Sequence, residues 1–367
     1  MRSYWEKQSF TKYDIAIIGS GITGLSTAIS LKEKDSSQRI VILEKGLLPT
    51  GASTKNAGFA CVGSFTEIID DLKTHSQEDI LALVNLRKQG LEILRKRLGD
   101  EAIGYKENGA YELLFDAQKE TLKELENINK LLYTLFQKNV FTLVSKDFGF
   151  GKEVKYLIES SAEGEINTGK MMSALIFKAM QMGIEIKTGY EVNGWQENEN
   201  NVIIQNDELE IVAKKVCVCT NAFAPKFFPE MKIKPGRGQV LITKPIENLK
   251  FKGIFHFDEG YYYFRVIDNR ILFGGGRNID FEAETSDKFE LNQKIQTDLE
   301  EKLRTIILPN TAFEIDYRWA GIMAFGENKK PIIKKVSPNI FAAVKFGGMG
   351  IAIGSKAGEL LSELVLC

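Results

Sequence analysis

Histidine is nearly missing from this chain: His75 and His256 are the only two in 367 residues. That scarcity argues against a histidine-ligated metal or a histidine relay as the centre of its chemistry. Cysteine is hardly more frequent. Cys61, Cys217, Cys219 and Cys367 form no C-x-x-C pair, so neither a zinc site nor a redox dithiol is indicated. Cys217 and Cys219 share one face of an apolar strand, where buried thiols are expected. No charge of one sign dominates either. With 48 Lys and Arg against 49 Asp and Glu, the net charge of −1 leaves no basic footprint for nucleic acid. The pairs Lys329–Lys330 and Lys334–Lys335 read as solvated loop and strand-end charges. No apolar run reaches the length of a membrane span, and the polar N-terminus lacks the apolar region of a signal peptide. A cytoplasmic protein is expected. The opening residues "MRSYWEKQSFTK" read as a short tail packed down by Tyr4, Trp5 and Phe10.

What is present is a chain long enough for two domains or one elaborate α/β unit, with an ordinary hydrophobic content of 44%. One stretch carries more information than the rest. In "YDIAIIGSGITGLSTA" the run Ile15–Ile18 reads as a buried parallel strand, and Ile22, Leu25, Ala28 and Ile29 recur at helical spacing. Between them Gly19 permits a tight turn, Gly21 lets the backbone approach a pyrophosphate, and Gly24 lets the helix pack on the strand. Ser20, Ile22 and Thr23 belong to the same turn, whose N–H groups and helix dipole face the phosphates. A second strand, "RIVILEKG", ends in Glu44, twenty residues after Gly24. Its carboxylate can accept both hydroxyls of an adenosine ribose and would repel a 2′-phosphate. A plain βαβ unit with a solvated Glu44 is the alternative; the combined pattern favours a dinucleotide site.

After Glu44, "GLLPTGASTKNAGFACVG" has neither helical nor strand period, and loops of that length are often functional. A helical pattern runs from Phe65 to about Leu98, interrupted near Ser76–Gln77, followed by a strand at "GAYELLF" and an amphipathic helix over 117–138. A helix over about 168–182 precedes the strands "IEIKTGYEVNGW", "NVIIQND" and "KKVCVCT". The next third is β-rich ("GQVLITK", "GYYYFRVID", "RILFGGG"), with a turn at Asp268–Asn269. A helix over about 290–306, the stretch "DYRWAGIMAF", the strand "NIFAAVKF", three glycines and a final helix close the chain. The expected class is α/β. A Rossmann-like nucleotide domain (13–90, 150–235 and 320–367) is interleaved with an α+β substrate domain on a mixed or antiparallel sheet (91–149 and 236–319).

Four blocks, "IIGSGITGLSTA…VILEKG", "GASTKNAGF", "VCTNAFAP…GRGQVLITK" and "RWAGIMAF…IFAAVKFGGMGIAIGSKAGELLSEL", together resemble the D-amino acid oxidase/glycine oxidase superfamily. The similarity spans about Tyr13 to Leu364 and is nearest to the amine (gamma-glutamylputrescine-type) oxidoreductase branch. The resemblance implies FAD and oxidation at a carbon–nitrogen bond. By the same resemblance Gly19, Ser20, Gly21, Ile22, Thr23 and Gly24 would meet the pyrophosphate, and Glu44 with Lys45 the ribose region. Ser53, Thr54, Asn56, Ala57 and Gly58 would run along the phosphates and flavin ring, with Val192 beside adenine, Thr220–Asn221 closing the cleft and Gly321 near the cofactor. The N–H groups of Gly347, Gly348, Met349, Gly350 and Ile351 would face flavin N1 and C2=O, as an oxyanion hole does. A plain tight turn is the alternative there, and Lys55 reads equally as a solvated side chain or a flavin contact.

On the substrate side, alternation in "GYYYFRVIDNR" puts Tyr261, Tyr263 and Arg265 on one strand face, and Tyr261 matches a pocket tyrosine of glycine oxidase-like proteins. Arg265, Arg277 or Arg237 could bind a substrate carboxylate bidentately; structural ion pairs and a packed sheet core are the alternatives. In glycine oxidase-like sequences an arginine stands where this chain has Met323, which turns the expectation from glycine toward an amine or a differently anchored substrate. No cysteine lies in "FGENKKP", where sarcosine oxidase-like proteins attach FAD, so non-covalent FAD is expected, with Cys61 a buried thiol near the flavin loop. The resemblance implies hydride transfer from a neutral amine to flavin N5, an imine that hydrolyses, and reoxidation by O2 or an unidentified electron acceptor. Three other readings stand beside it. A nicotinamide-dependent dehydrogenase is opposed by the terminal glycine block, and an RNA-modifying flavoprotein by the near-zero charge. A non-catalytic flavin-binding protein is suggested by Met323 alone.

Overall fold

The computed structural model describes residue 1 and residues 3–367. The apolar run Ile15–Ile18 lies in the strand Lys12–Ile18, paired in parallel with Ile211–Val218 on one side and Ile40–Leu43 on the other. A strand buried on both faces has no polar face to present, so its sequence is continuously apolar rather than alternating. The first eight-stranded sheet runs Ile332–Lys335, Ile340–Val344, Ile211–Val218, Lys12–Ile18, Ile40–Leu43 and Glu185–Lys187, with Val202–Gln205 and Gly194–Glu197 branching antiparallel from Ile211–Val218. Helices Ile22–Lys34 and Gln77–Leu98 pack against the terminal helix Gly350–Leu366. The approach is close: a Cβ on Gly90 would stand 1.9 Å from the Ala352 carbonyl oxygen.

The second eight-stranded sheet runs Ile315–Phe325, Lys234–Thr243, Arg270–Gly275, Tyr262–Ile267, Ile254–Phe257, Ala110–Phe115, Val154–Ser160 and Phe141–Val144. Every pair in it is antiparallel except Ile254–Phe257 with Ala110–Phe115. One face buries an aromatic core (Phe255, Phe257, Tyr262, Phe264 and Phe273) together with the apolar residues of helix Gln293–Lys302. Strands Val154–Ser160 and Ile315–Phe325 both belong to this sheet, so the chain passes between the sheets at points other than 150 and 320.

Several elements differ from the sequence reading. The span 117–138 is a 3-10 helix over Asp116–Glu124 and an α-helix over Leu125–Phe136, because the first half buries no residue while the second buries Ile128 and Leu132. "IEIKTGYEVNGW" breaks into Glu185–Lys187 and Gly194–Glu197, with Gly189 in the left-handed region between them. The helix near 290–306 is α-helical over Gln293–Lys302 and ends in a π turn, Leu303–Ile307. The N-terminal tail is not packed down. It forms a helix, Tyr4–Ser9, held by a capping box between Ser3 and Glu6, and Tyr4, Trp5 and Phe10 remain 67%, 71% and 54% exposed. The cap satisfies the helix locally, without an apolar seat beneath it. Arg2 of that tail lies outside the described residues. Asp268 and Asn269 both take positive φ, 49° and 57°, the conformation of a tight hairpin turn.

Candidate active site

A cavity of ≈ 1240 Å³ opens at the carboxyl ends of the first sheet's parallel strands and is closed from the other side by the second sheet. Ligands in open α/β sheets bind at that end of the strands, and the volume exceeds what a single small ligand needs. Gly19, Glu44 and Thr220 stand at the ends of three adjacent strands on its wall.

At this end the site is made of backbone. Gly19 turns with φ 103°. A Cβ on Gly24 would lie 1.9 Å from the Gly19 carbonyl oxygen, so Gly24 is the packing glycine and does not reach the cavity. Gly21 begins the helix without a side-chain cap, and Ile22 donates its N–H to Ser53 Oγ at 3.0 Å. Gly21, Ile22, Thr23 and Ser53 all line the cavity. Ser20 does not, contrary to expectation: its N–H and hydroxyl both donate to Glu44 Oε2, at 3.1 and 2.7 Å. It positions the carboxylate while Gly46 N–H donates to the other oxygen at 3.1 Å. Lys45 stands beside it with Nζ 4.5 Å from the Phe223 ring centroid, and Val192 completes this part of the wall.

The middle of the cavity is bordered by Asn56 and Ala57 from the 51–58 loop, by Asn221 and by Gly321. Thr54 and Gly58 of that loop are off the wall. Thr54 donates to the Pro49 carbonyl at 2.7 Å, and a Gly58 Cβ would meet the Ile166 carbonyl at 2.2 Å, so both shape the loop from outside. Lys55 rests on the wall with Nζ 5.2 Å from the Phe289 ring centroid, while Trp319 Nε1 donates to its carbonyl at 2.9 Å. Gly347, Gly348, Met349, Gly350 and Ile351 form a glycine turn into the last helix on the same wall, again without a side-chain cap. Cys61 Sγ is 3.7 Å from Met349 Sδ, and burial pushes its thiol pKa well up, which keeps it protonated.

The substrate end is made of side chains, and the structure separates the three candidate arginines. Arg265 is 4% exposed and off the cavity wall. Its Nη1 donates to the carbonyls of Gly58 and Ile166 at 2.9 and 2.7 Å, and Nη2 is 3.4 Å from Glu165. It pins the 56–58 loop and is not a carboxylate receptor. Arg237 is likewise committed, to the fully buried Glu284 at 2.7 Å. Arg277 is on the wall, its guanidinium 4.3 Å from the Phe325 ring centroid and 5.0 Å from that of Phe281. Its Nε is buried without a hydrogen-bond partner, no ion pair engages it among the described residues, and burial lowers its pKa. Tyr261 precedes the strand Tyr262–Ile267 rather than lying in it and packs on Phe281 at the rim; Tyr263 lies deeper, where burial pushes its phenol up to about 12. Met323 completes this end.

Sequence reasoning missed several side chains on the wall, Lys345 and His256 among them. Lys345 takes φ 68° and donates Nζ to Asn328 Oδ1 at 2.8 Å, which no local pattern announces. His256 also faces the cavity, and its alternation with Phe255 and Phe257 on a strand was a usable signal. Among the described residues no cluster of His, Cys, Asp and Glu could hold a metal.

A glycine turn with an uncapped helix start, a carboxylate held at the neighbouring strand end and a second sheet closing the cavity have the form of a dinucleotide-binding site. Residues 14–364 match the DAO family, FAD dependent oxidoreductase, and the chain belongs to that family. Its cofactor is FAD, and the fit is visible here: the buried Thr220 hydroxyl has no partner, and the helix starts at Gly21 and Met349 on the cavity wall lack side-chain caps. Gamma-glutamylputrescine oxidoreductase of Escherichia coli is 26% identical over 96% of this chain and 83% of its own length. A Haemophilus influenzae protein named "Probable oxidoreductase OrdL" is 25% identical over 96% of this chain and 83% of its own. The crystal structure of glycine oxidase from Geobacillus kaustophilus superposes with a TM-score of 0.77 at 19% identity, covering 97% of this chain and 95% of that one. The protein is an FAD-dependent enzyme of the amine and amino-acid oxidase type.

Proposed function

We propose that this enzyme oxidises the C–N bond of an amine that also carries an anionic group, an amino-acid-like molecule rather than glycine itself. The observation that carries the reading is Arg277, a half-buried cation on the cavity wall with no carboxylate paired to it. A charge drawn out of water without a partner is costly, and a substrate anion would offset that cost. Arg277 and Tyr261 then hold the anionic end, while Phe281 and Phe325 keep water from the guanidinium. Met323 offers only apolar contact, and with Tyr263 it aligns the carbon chain toward the 347–351 turn.

In this reading Gly19, Gly21 and Thr23 hold the pyrophosphate, Glu44 the ribose, and the N–H groups of 347–351 the ring end of the cofactor. When bound, FAD supplies the acceptor for a hydride from the carbon next to the amine nitrogen. The cofactor is held non-covalently: acid denaturation is expected to release all of it into the supernatant. No helix among the described residues is long and apolar enough to cross a membrane, and the four free thiols suit a cytoplasmic setting.

The test is an anaerobic absorbance titration of the holoenzyme against amino acids, N-methyl amino acids, γ-glutamyl-capped amines and plain diamines. Bleaching of the flavin band by anion-bearing amines, and not by diamines of equal length, is the expected result. Admitting air then sorts oxidase from dehydrogenase by whether the band returns. Equal reduction by diamines would overturn the role given to Arg277.

A further inference from the structure

His256 has no part in the chemistry above, yet its surroundings are built. The strand register sets it directly opposite Tyr263 on one side and Glu112 on the other. Residues paired across neighbouring strands share a face, so Tyr263, His256 and Glu112 form one row, beginning on the cavity wall and ending in the interior. Phe59 sets its ring edge-on against both His256 and Tyr263, with centroids at 5.0 and 5.6 Å. Behind the imidazole lies Glu163, itself buried, whose Oε1 accepts from the N–H groups of Val62 and Gly63 at 3.0 and 3.1 Å. Its other oxygen is 3.7 Å from His256 Nε2, within ion-pair range but too far for a hydrogen bond, and Nε2 is buried with no hydrogen-bond partner. A histidine serving packing alone would satisfy its nitrogens. This one leaves a nitrogen unsatisfied beside a fixed carboxylate and turns its ring to the cavity.

We infer that His256 is the proton acceptor for the ammonium group of the bound substrate, with Glu163 orienting the imidazole and stabilising its charged form. The inference rests on the amine reading of the preceding subsection. An aliphatic amine is an ammonium ion below a pH of about 10, and its carbon gives up hydride only when the nitrogen lone pair is free. The N–H bond of the ammonium therefore breaks, an N–H bond forms on the imidazole, and the electron pair stays on the substrate nitrogen. With Nε2–H turned to Glu163, Nδ1 is the basic nitrogen.

The charged and titratable neighbours agree with this role. Burial pulls the His256 pKa down, but Glu163, Glu112 and Glu67 together outweigh it, and the net direction is up from the usual histidine value. Glu112, from the next strand, accepts from Ser64 Oγ, Thr66 N–H and the Thr66 hydroxyl. Glu67 is engaged by Arg87 and Lys329. The Cys61 thiol and Tyr263 phenol are held neutral by burial. The neutral imidazole that can take a proton thus gains population as pH rises through a value above the histidine norm.

The experiment is anaerobic stopped-flow reduction of the flavin across a pH series in the wild type, His256→Gln and Glu163→Gln. It is paired with an NMR titration of the imidazole in substrate-free holoprotein carrying His75→Gln, which leaves one histidine. In the wild type, reduction at saturating substrate should rise with pH through one ionisation. His256→Gln should lose that ionisation and slow reduction on the order of 10²-fold at neutral pH, with the gap closing as the substrate's own ammonium begins to deprotonate. Glu163→Gln should shift both the kinetic inflection and the imidazole titration to lower pH. Wild-type rate and pH profile in His256→Gln would overturn the inference, as would an imidazole titration unmoved by Glu163→Gln. Should no amine reduce the wild-type flavin, the amine reading itself falls; the imidazole titration needs no substrate and tells that failure apart from a failure of the pairing.

Discussion

The two ends of the cavity are built from different materials. The nucleotide end is made of main chain: a left-handed Gly19, an uncapped helix start at Gly21, and a glycine turn at 347–350. The opposite end is made of side chains, where Arg277, Tyr261, Tyr263, Met323 and His256 line the wall; in the proposed function this is the substrate end. Gly19 and Gly24 tolerate almost no change because a Cβ on either would meet a backbone carbonyl, while Gly347 and Gly348 are restricted by their positive φ. Side-chain sites tolerate change structurally and answer in specificity. Stability and cofactor retention should therefore report on one end, and substrate selection on the other.

That contrast can be broken or sharpened by substitution. The largest effect is expected from Glu284→Ala, which leaves the buried Arg237 with only the exposed Glu290, 3.6 Å away, as an ion-pair partner. Loss of one partner of a buried pair costs about 3–5 kcal/mol, read in a denaturant titration; preserved stability would mean that Arg237 was never committed. Gly24→Val forces side-chain atoms into the Gly19 carbonyl. Its cost should lie near the upper end of the ~1–3 kcal/mol typical of overpacking, and the purified protein should be colourless. A yellow, stable variant would remove the argument for a rigid main-chain end. Arg277→Met should leave the melting temperature and FAD content unchanged while weakening binding of the anion-bearing substrate by about 2–3 kcal/mol, roughly 10²-fold in KM. A matching loss of stability would place Arg277 among the structural arginines instead.

The smallest effect concerns the clamp between Lys329 and the carboxylates of Glu67 and Asp71 at the cavity mouth. Burial raises the Glu67 pKa, but Arg87 and Lys329 overcome it and hold the carboxyl down to about 2. A carboxylate whose folded value is depressed contributes stability above its unfolded value and loses it as pH falls through the folded one. Acid unfolding should therefore steepen between about pH 4.5 and 2. Lys329→Met should flatten that limb and cost about 1 kcal/mol at neutral pH, since the lysine is partly exposed. An unchanged acid limb would show that Arg87 alone holds Glu67.

Much of the fold was legible because its elements announce themselves locally. The apolar runs of the parallel strands, the break at Ser76 with its cap, and the Asp268–Asn269 turn each depend on residues adjacent in the chain. The tail was misjudged because exposure of Tyr4 and Trp5 depends on whether anything else covers them. Ser20 was expected at the pyrophosphate with its sequence neighbours, which line the cavity, while its hydroxyl answers to Glu44.

Residue order by itself determined the nucleotide end of this protein and the class of cofactor it takes. The Gly19–Gly24 turn is encoded as glycines at set intervals within one continuous stretch, where Gly19 makes the turn and Gly24 the close helix packing. Only the tertiary structure decided the division of labour among side chains that look alike in sequence. Arg237 meets Glu284 across 47 residues, Arg265 meets the Gly58 carbonyl across 207, and Arg277 stands on the cavity wall with no ion pair among the described residues. His256 and Glu163 come together from separate strands and loops in the same way. Burial and pairing belong to residues far apart in the chain, and they take a value only when the two sheets close over the cavity.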